Sequence, residues 1–134
     1  MEIEGGCYCG AIRYRSTGAL EVSLQCHCRE CQYATGGNAN VIVVVPADKF
    51  RFTKGVPKEF TRRDLDKPVT RLFCANCGTA IGNRSPFRKN TMILKVGTMD
   101  DPSWFKSELA IFTIDKQPFH HVADDLPQFD RRPG

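Results

Sequence analysis

The sequence predicts a mostly β domain, and three observations carry that expectation. Short β-branched or alternating runs recur between turn residues. No stretch of ten or more residues places apolar side chains at helical spacing. Seven cysteines fall into three tight groups, which a small sheet-rich chain can use as cross-links. The chain has 134 residues, 41% hydrophobic and 25% charged, which is the size of one domain spanning 1–134. A chain this long buries roughly two thirds of its unfolded surface, enough for a core with little surplus.

Strands are expected, in order, over Ala11 to Ser16, Glu21 to Gln25, Asn40 to Val45, Phe50 to Thr53, Glu59 to Arg62, Thr70 to Phe73, Ala80 to Asn83, Thr91 to Val96 and Glu108 to Ile114. The third holds the longest apolar run, Val41 to Val45. Turns at Pro46-Ala47-Asp48 and Asp100-Asp101-Pro102 separate strands. The one short helix expected is Cys28 to Thr35, which lacks Pro and Gly and is followed by Gly36-Gly37 as a cap. Asp124 to Gly134, with Pro127 and Pro133, reads as irregular and pinned to the body by Leu126 and Phe129.

Charge and cysteine count narrow the function classes. The net charge is +4, but residues 49–89 carry eleven Lys or Arg against three acids, so the flanks are acidic on balance. Such a basic segment either attracts an anionic small molecule or nucleic acid, or is a solvated loop face. Its cations are not interleaved with aromatics in an RNA-binding pattern, so nucleic acid is not the expected partner. The Val41 to Val45 run is a quarter of the about 20 residues a membrane span needs, so no membrane partner is expected. Met1-Glu2-Ile3-Glu4 is unlike a secretory signal, and an odd number of cysteines cannot all pair. The expected setting is cytoplasmic, where clustered cysteines read as metal ligands or reactive thiols.

The cysteine groups are Cys7-Tyr8-Cys9-Gly10, Cys26-His27-Cys28-Arg29-Glu30-Cys31 and Cys74-Ala75-Asn76-Cys77-Gly78. Zinc held by thiolates at about 2.3 Å in a tetrahedron sets its sulfurs roughly 3.8 Å apart, within reach of such pairs. Gly10 and Gly78 permit the positive φ that a tight turn behind each pair needs. The two Gly-terminated pairs look alike, and Cys7, Cys9, Cys74 and Cys77 together make a closed, structural metal site. Free buried cysteines, or a redox pair at Cys74 and Cys77, are the rivals. Subtraction leaves Cys26, Cys28 and Cys31: three ligands and an open position, the pattern of a catalytic zinc. A zinc on three thiolates already carries net negative charge, which weakens it as an acid for water but suits it to hold an incoming thiol as a thiolate. Two rivals stay open here: His27 as a fourth ligand closing the site, and a metal-free reactive dithiol.

At these residues the chain resembles the family of glutathione-dependent formaldehyde-activating enzymes, which includes the centromere protein V domain. The likeness runs through Gly6-Cys7-Tyr8-Cys9-Gly10-Ala11-Ile12-Arg13-Tyr14, then Cys26-His27-Cys28-Arg29-Glu30-Cys31 with Gly36 behind it, then Phe73-Cys74-Ala75-Asn76-Cys77-Gly78-Thr79. Val96-Gly97-Thr98-Met99-Asp100-Asp101 and Leu126-Pro127-Gln128-Phe129 extend it. The resemblance implies a β-tent fold of short antiparallel sheets and two zincs per chain. One is structural on Cys7, Cys9, Cys74 and Cys77; the other is catalytic and more labile on Cys26, Cys28 and Cys31, where a glutathione sulfur approaches. It implies a carbon-sulfur lyase joining glutathione and formaldehyde into S-hydroxymethylglutathione. Gln32-Tyr33 stand where many relatives place basic residues. The alternative class is a non-catalytic zinc-stabilised module that binds protein or nucleic acid.

Other side chains carry competing readings. His120, His121, Asp124 and Asp125 are acid/base or ligand candidates, or a polar surface strand. Tyr33 and Glu30 are candidate proton carriers beside the triad, and Arg29 a candidate carboxylate partner; for each the rival is an ordinary exposed helix face. Trp104 and Phe105 either line a pocket or anchor a loop to the core.

Overall fold

The apolar run Val41 to Val45 becomes a strand buried on both faces, and the rest of the fold is arranged around that requirement. The structure is a computed structural model describing residues 1–133. Its strands are β1 Ile3–Gly6, β2 Arg13–Ser16, β3 Val22–Cys26, β4 Asn40–Pro46, β5 Phe50–Lys54, β6 Lys58–Thr61, β7 Thr70–Phe73, β8 Ala80–Arg84, β9 Thr91–Lys95 and β10 Leu109–Ile111. The helix α1, Arg29–Thr35, lies between β3 and β4. A three-stranded sheet has the order β1-β2-β5, and a seven-stranded sheet the order β10-β3-β4-β9-β8-β7-β6.

Side chains alternate across a strand, so β4 faces two environments. Val43 and Val45 pack with Met92 and Leu94 of β9 and with Ile3, Ile12 and Tyr14 of the smaller sheet's side. Ile42 and Val44 turn the other way, to Val22, Leu24 and Ile93. Between the sheets the Tyr14 hydroxyl meets Thr98 Oγ1 at 2.7 Å, giving the buried phenol a partner.

The mostly β expectation holds, with one short helix where it was expected. Cys28 caps α1, its Sγ accepting from the Cys31 N–H, and Gly36 ends it at φ 85° with its N–H on the Gln32 carbonyl. The departures are local. β1 was not expected, because Gly5 and Gly6 weaken its β signal. Both glycines are needed there: a Cβ at Gly5 would meet the Thr98 carbonyl oxygen at 2.3 Å, and one at Gly6 the Ile12 oxygen at 2.1 Å. The expected strand Glu108 to Ile114 stops at Ile111, since Phe112 takes φ 54° and a 3-10 turn, Thr113–Asp115, follows. That strand also pairs parallel to β3, unlike the antiparallel pairs elsewhere in the sheets. Expected strand Thr91 to Val96 gives its last residue to a 3-10 turn, Val96–Thr98.

Candidate metal centres and the cleft beside them

The turn after β1 and the turn after β7 bring Cys7, Cys9, Cys74 and Cys77 together, their sulfurs all within 4.8 Å of one another. Cys7 and Cys9 are 3.7 Å apart and Cys9 and Cys74 are 3.9 Å apart, close to the roughly 3.8 Å edge of a zinc-thiolate tetrahedron. Gly10 and Gly78 take φ 79° and 78°, the conformation expected of them. Donors surround the sulfurs. The Ile12 N–H reaches Cys7 Sγ at 3.2 Å, the Asn76 and Cys77 N–H groups reach Cys74 Sγ at 3.4 Å, and Asn76 Nδ2 reaches Cys9 Sγ at 3.3 Å. The Thr79 hydroxyl and N–H pull the Cys77 thiol down to about 5. Hydrogen bonds to the charged form favour thiolates, so the donor set fits a dication.

The second cluster is built by one strand end and one helix start. Cys26 closes β3, Cys28 caps α1 and Cys31 lies in its first turn, all three sulfurs within 4.8 Å. Cys28 Sγ is 2.8 Å from Cys31 Sγ, so accepting a zinc ion requires that pair to open by about 1 Å. Hydrogen bonds from Cys26 and then Cys28 hold the Cys31 thiol far below its ordinary value, while contacts with Cys28 and then Cys31 push Cys26 up. Three thiols this close, two of them buried, cannot all ionise without a countercharge. Three thiols and no fourth ligand suit a zinc with an open position.

His27 does not close this site, although its position between two ligands allowed it. It is fully buried and turned toward the chain's far end: its Nδ1 lies 2.9 Å from His120 Nδ1, and its Nε2 lies 3.0 Å from Gln25 Nε2. The partners assign the tautomers. His120 Nε2–H donates to the Gly37 carbonyl at 2.8 Å, leaving its Nδ1 to accept from His27 Nδ1–H and from the Gln117 N–H. His27 Nε2 then accepts from Gln25. Burial holds the His27 imidazole down at about 4. Gln32 adds a second tie: its Nε2 donates to the His27 and Asp115 carbonyls at 2.9 and 3.0 Å.

His120 is therefore a buried clamp, not a surface residue, whereas His121, Asp124 and Asp125 are exposed. No sequence signal joins His27 to His120, 93 residues later. Arg29 is exposed, its guanidinium bonded to Gln32 Oε1 and set over the Tyr33 ring. Glu30 and Tyr33 are exposed at the edge of the cleft. Phe105 packs against the core between the sheets, as the anchoring reading expects, whereas Trp104 is exposed; neither lines the cleft.

That cleft, about 1390 Å³, contains Cys26, Cys28 and Cys31. Five cations of the basic middle segment line it, namely Arg62, Lys67, Arg71, Arg88 and Lys89, and Lys95 joins them from β9. Lys95 Nζ donates to Asn40 Oδ1 at 2.7 Å, and Asn40 Nδ2 points to Cys31 Sγ at 3.8 Å. Burial lowers the Lys95 ammonium. Phe112, also on the wall, holds the left-handed backbone at a cost of about 1–2 kcal/mol, with Arg132 set 5.0 Å from its ring centre.

Two sheets stitched by a closed four-thiol cluster, with an open three-thiol cluster facing a cationic cleft, define a β protein with two thiolate centres suited to zinc. The chain belongs to the family described as glutathione-dependent formaldehyde-activating enzyme, which matches residues 2–115. A solved structure of a Rhodobacter sphaeroides protein is similar in fold, with a TM-score of 0.61 at 15% identity, covering 72% of this chain and 87% of that chain.

Proposed function

We propose that the protein is a zinc-dependent carbon-sulfur lyase acting on thiol-aldehyde adducts, with glutathione and formaldehyde joined as S-hydroxymethylglutathione. The observation that carries this reading is the open triad, Cys26, Cys28 and Cys31, at the wall of a cation-lined cleft. Family membership supports it. Zinc held by Cys26, Cys28 and Cys31 would supply a coordination bond to the incoming sulfur, which would lower that thiol's pKa and keep it a thiolate.

The chain's own groups do the rest. Arg71 and Lys95, whose charges also favour the Cys31 thiolate, draw an anionic thiol toward the triad. The thiolate sulfur adds to the carbonyl carbon, the C=O π bond becomes an alkoxide, and the proton lost by the thiol returns to that oxygen. Lys95, its ammonium pKa lowered by burial, is suited to deliver that proton. The reverse sequence releases aldehyde and thiol.

The test is calorimetry of zinc-loaded protein with glutathione, alongside the rate of adduct formation from glutathione and formaldehyde. Binding with acceleration, weakened at least tenfold by Lys95→Met, is the expected result. Neither binding nor acceleration would overturn the reading. The binding-module alternative lost its favoured geometry when His27 turned away from the triad.

A further inference from the structure

The run Val41 to Val45 carries apolar residues on both faces, a pattern of strands covered on both sides. Here only one face has a partner sheet. The other is the floor of the cleft, and its residues stand in rows set by the strand register. Beside the triad, Cys26 pairs with Asn40; in the next row Leu24 pairs with Ile42 and with Leu109; then Val44 pairs with Ile93. From Asn40 to Val44 this floor runs about 13 Å. Its side chains line the cleft, yet Leu24, Ile42, Val44 and Ile93 are each at most 6% exposed. In the last row Asn83, opposite Ile93, is 6% exposed with Oδ1 buried and unpartnered among the described residues.

The rim is as distinct as the floor. Among the described residues no carboxylate lies within ion-pair distance of Lys67, Arg71, Lys89 or Lys95, which all line the cleft. Cationic walls over an apolar floor complement a molecule that carries carboxylates and an apolar arm together. Formaldehyde contributes a single carbon and reaches none of the half-buried apolar side chains, Leu109 and Ile111, that border this floor. The cleft also exceeds the about 300–1,000 Å³ usual for drug-sized ligands.

We infer that the cleft takes adducts of an anionic thiol with an aldehyde bearing an apolar chain of several carbons, the chain lying along the half-buried Leu109 and Ile111, which flank Leu24 and Cys26 at the edge of that floor. This deepens the thiol-aldehyde reading and rests on it for the identity of the anionic part. The bond changes are those given above, with a larger group on the carbonyl carbon, so no oxidant or reductant enters.

S-Alkylglutathiones test the cleft without turnover, because their sulfur is blocked as a thioether. Each fully buried methylene is worth about fourfold in affinity. S-Hexylglutathione is expected to bind the zinc-loaded protein at least tenfold more tightly than S-methylglutathione by calorimetry. A smaller ratio, equivalent to fewer than two buried methylenes, overturns the inference. The diethyl ester of S-hexylglutathione, lacking both carboxylates, is expected to bind at least threefold more weakly than the acid; a lesser loss overturns the anionic half. Leu109→Asp, at a half-buried floor position, is expected to shrink the hexyl preference to below threefold in folded, metal-loaded protein.

Adduct kinetics with formaldehyde and heptanal separate this from the underlying reading. Faster relative turnover of heptanal supports both. Acceleration of formaldehyde with no hexyl preference overturns only the chain-length inference. A hexyl preference with no aldehyde accelerated keeps the cleft assignment and overturns the lyase.

Discussion

The two cysteine clusters use the same ligand chemistry to opposite ends. In the tetrad, residues 65 positions apart meet, as Cys9 and Cys74 do at 3.9 Å, so a metal there ties the smaller sheet's entry to the seven-stranded sheet. The triad draws all its sulfurs from six consecutive residues and joins nothing that β3 and α1 do not already join. Cross-linking distant segments constrains the unfolded chain strongly, whereas a short local loop constrains it little. A metal in the tetrad would thus be a stability centre, and one in the triad would be free to be coordinatively open and labile.

Substitution at each cluster is the sharpest way to break that contrast. Cys74→Ser should unfold the protein or remove more than about 5 kcal/mol, since structural zinc binding is itself folding free energy. Thermal unfolding by circular dichroism with metal analysis checks it, and a folded variant still holding two zincs would erase the distinction. Chelation should follow the same line: one equivalent leaves wild-type protein with the fold intact, and the second leaves only as the sheets melt.

The sheet packing beside the tetrad makes a pH prediction. Burial raises the Tyr14 phenol to about 12 against an ordinary value of 10. Below pH 10 both folded and unfolded chains are protonated and the contribution is complete. Between pH 10 and 12 the unfolded chain ionises first, so stability falls, by roughly 3 kcal/mol once pH exceeds 12. Tyr14→Phe should flatten that part of the alkaline unfolding curve.

Smaller effects belong to the triad's surroundings. His120→Ala removes the partner of His27 Nδ1 and of the Gly37 carbonyl, at a cost of about 2 kcal/mol. Zinc affinity of the triad should drop while tetrad occupancy stays whole, which element analysis of partly chelated protein would read. Cys28→Ser should cost least, within about 1 kcal/mol, because serine is still a helix cap. It should nonetheless abolish the labile zinc.

Local chemistry explains what could be read in advance. Gly-terminated cysteine pairs, an apolar run bounded by Pro46, and a Gly36-Gly37 stop after Cys31 each act within a few residues. The helix and the strand cores therefore appeared where expected. β1 escaped because Gly5 and Gly6 look like loop residues until the Thr98 and Ile12 carbonyls are seen pressing on them. The end of β10 escaped because the left-handed turn at Phe112 has no glycine to announce it.

The sequence by itself determined the two cysteine sets, since thiol count, spacing and the glycines behind them are properties of short segments. It also determined that one strand needed cover on two faces. Only the tertiary structure decided that this second face would be a cleft, that the basic middle segment would rim it, and that His27 would bond to His120 and not to a metal. Those outcomes depend on pairings across tens of residues, where the register of the sheets, and no local preference, selects which side chains meet.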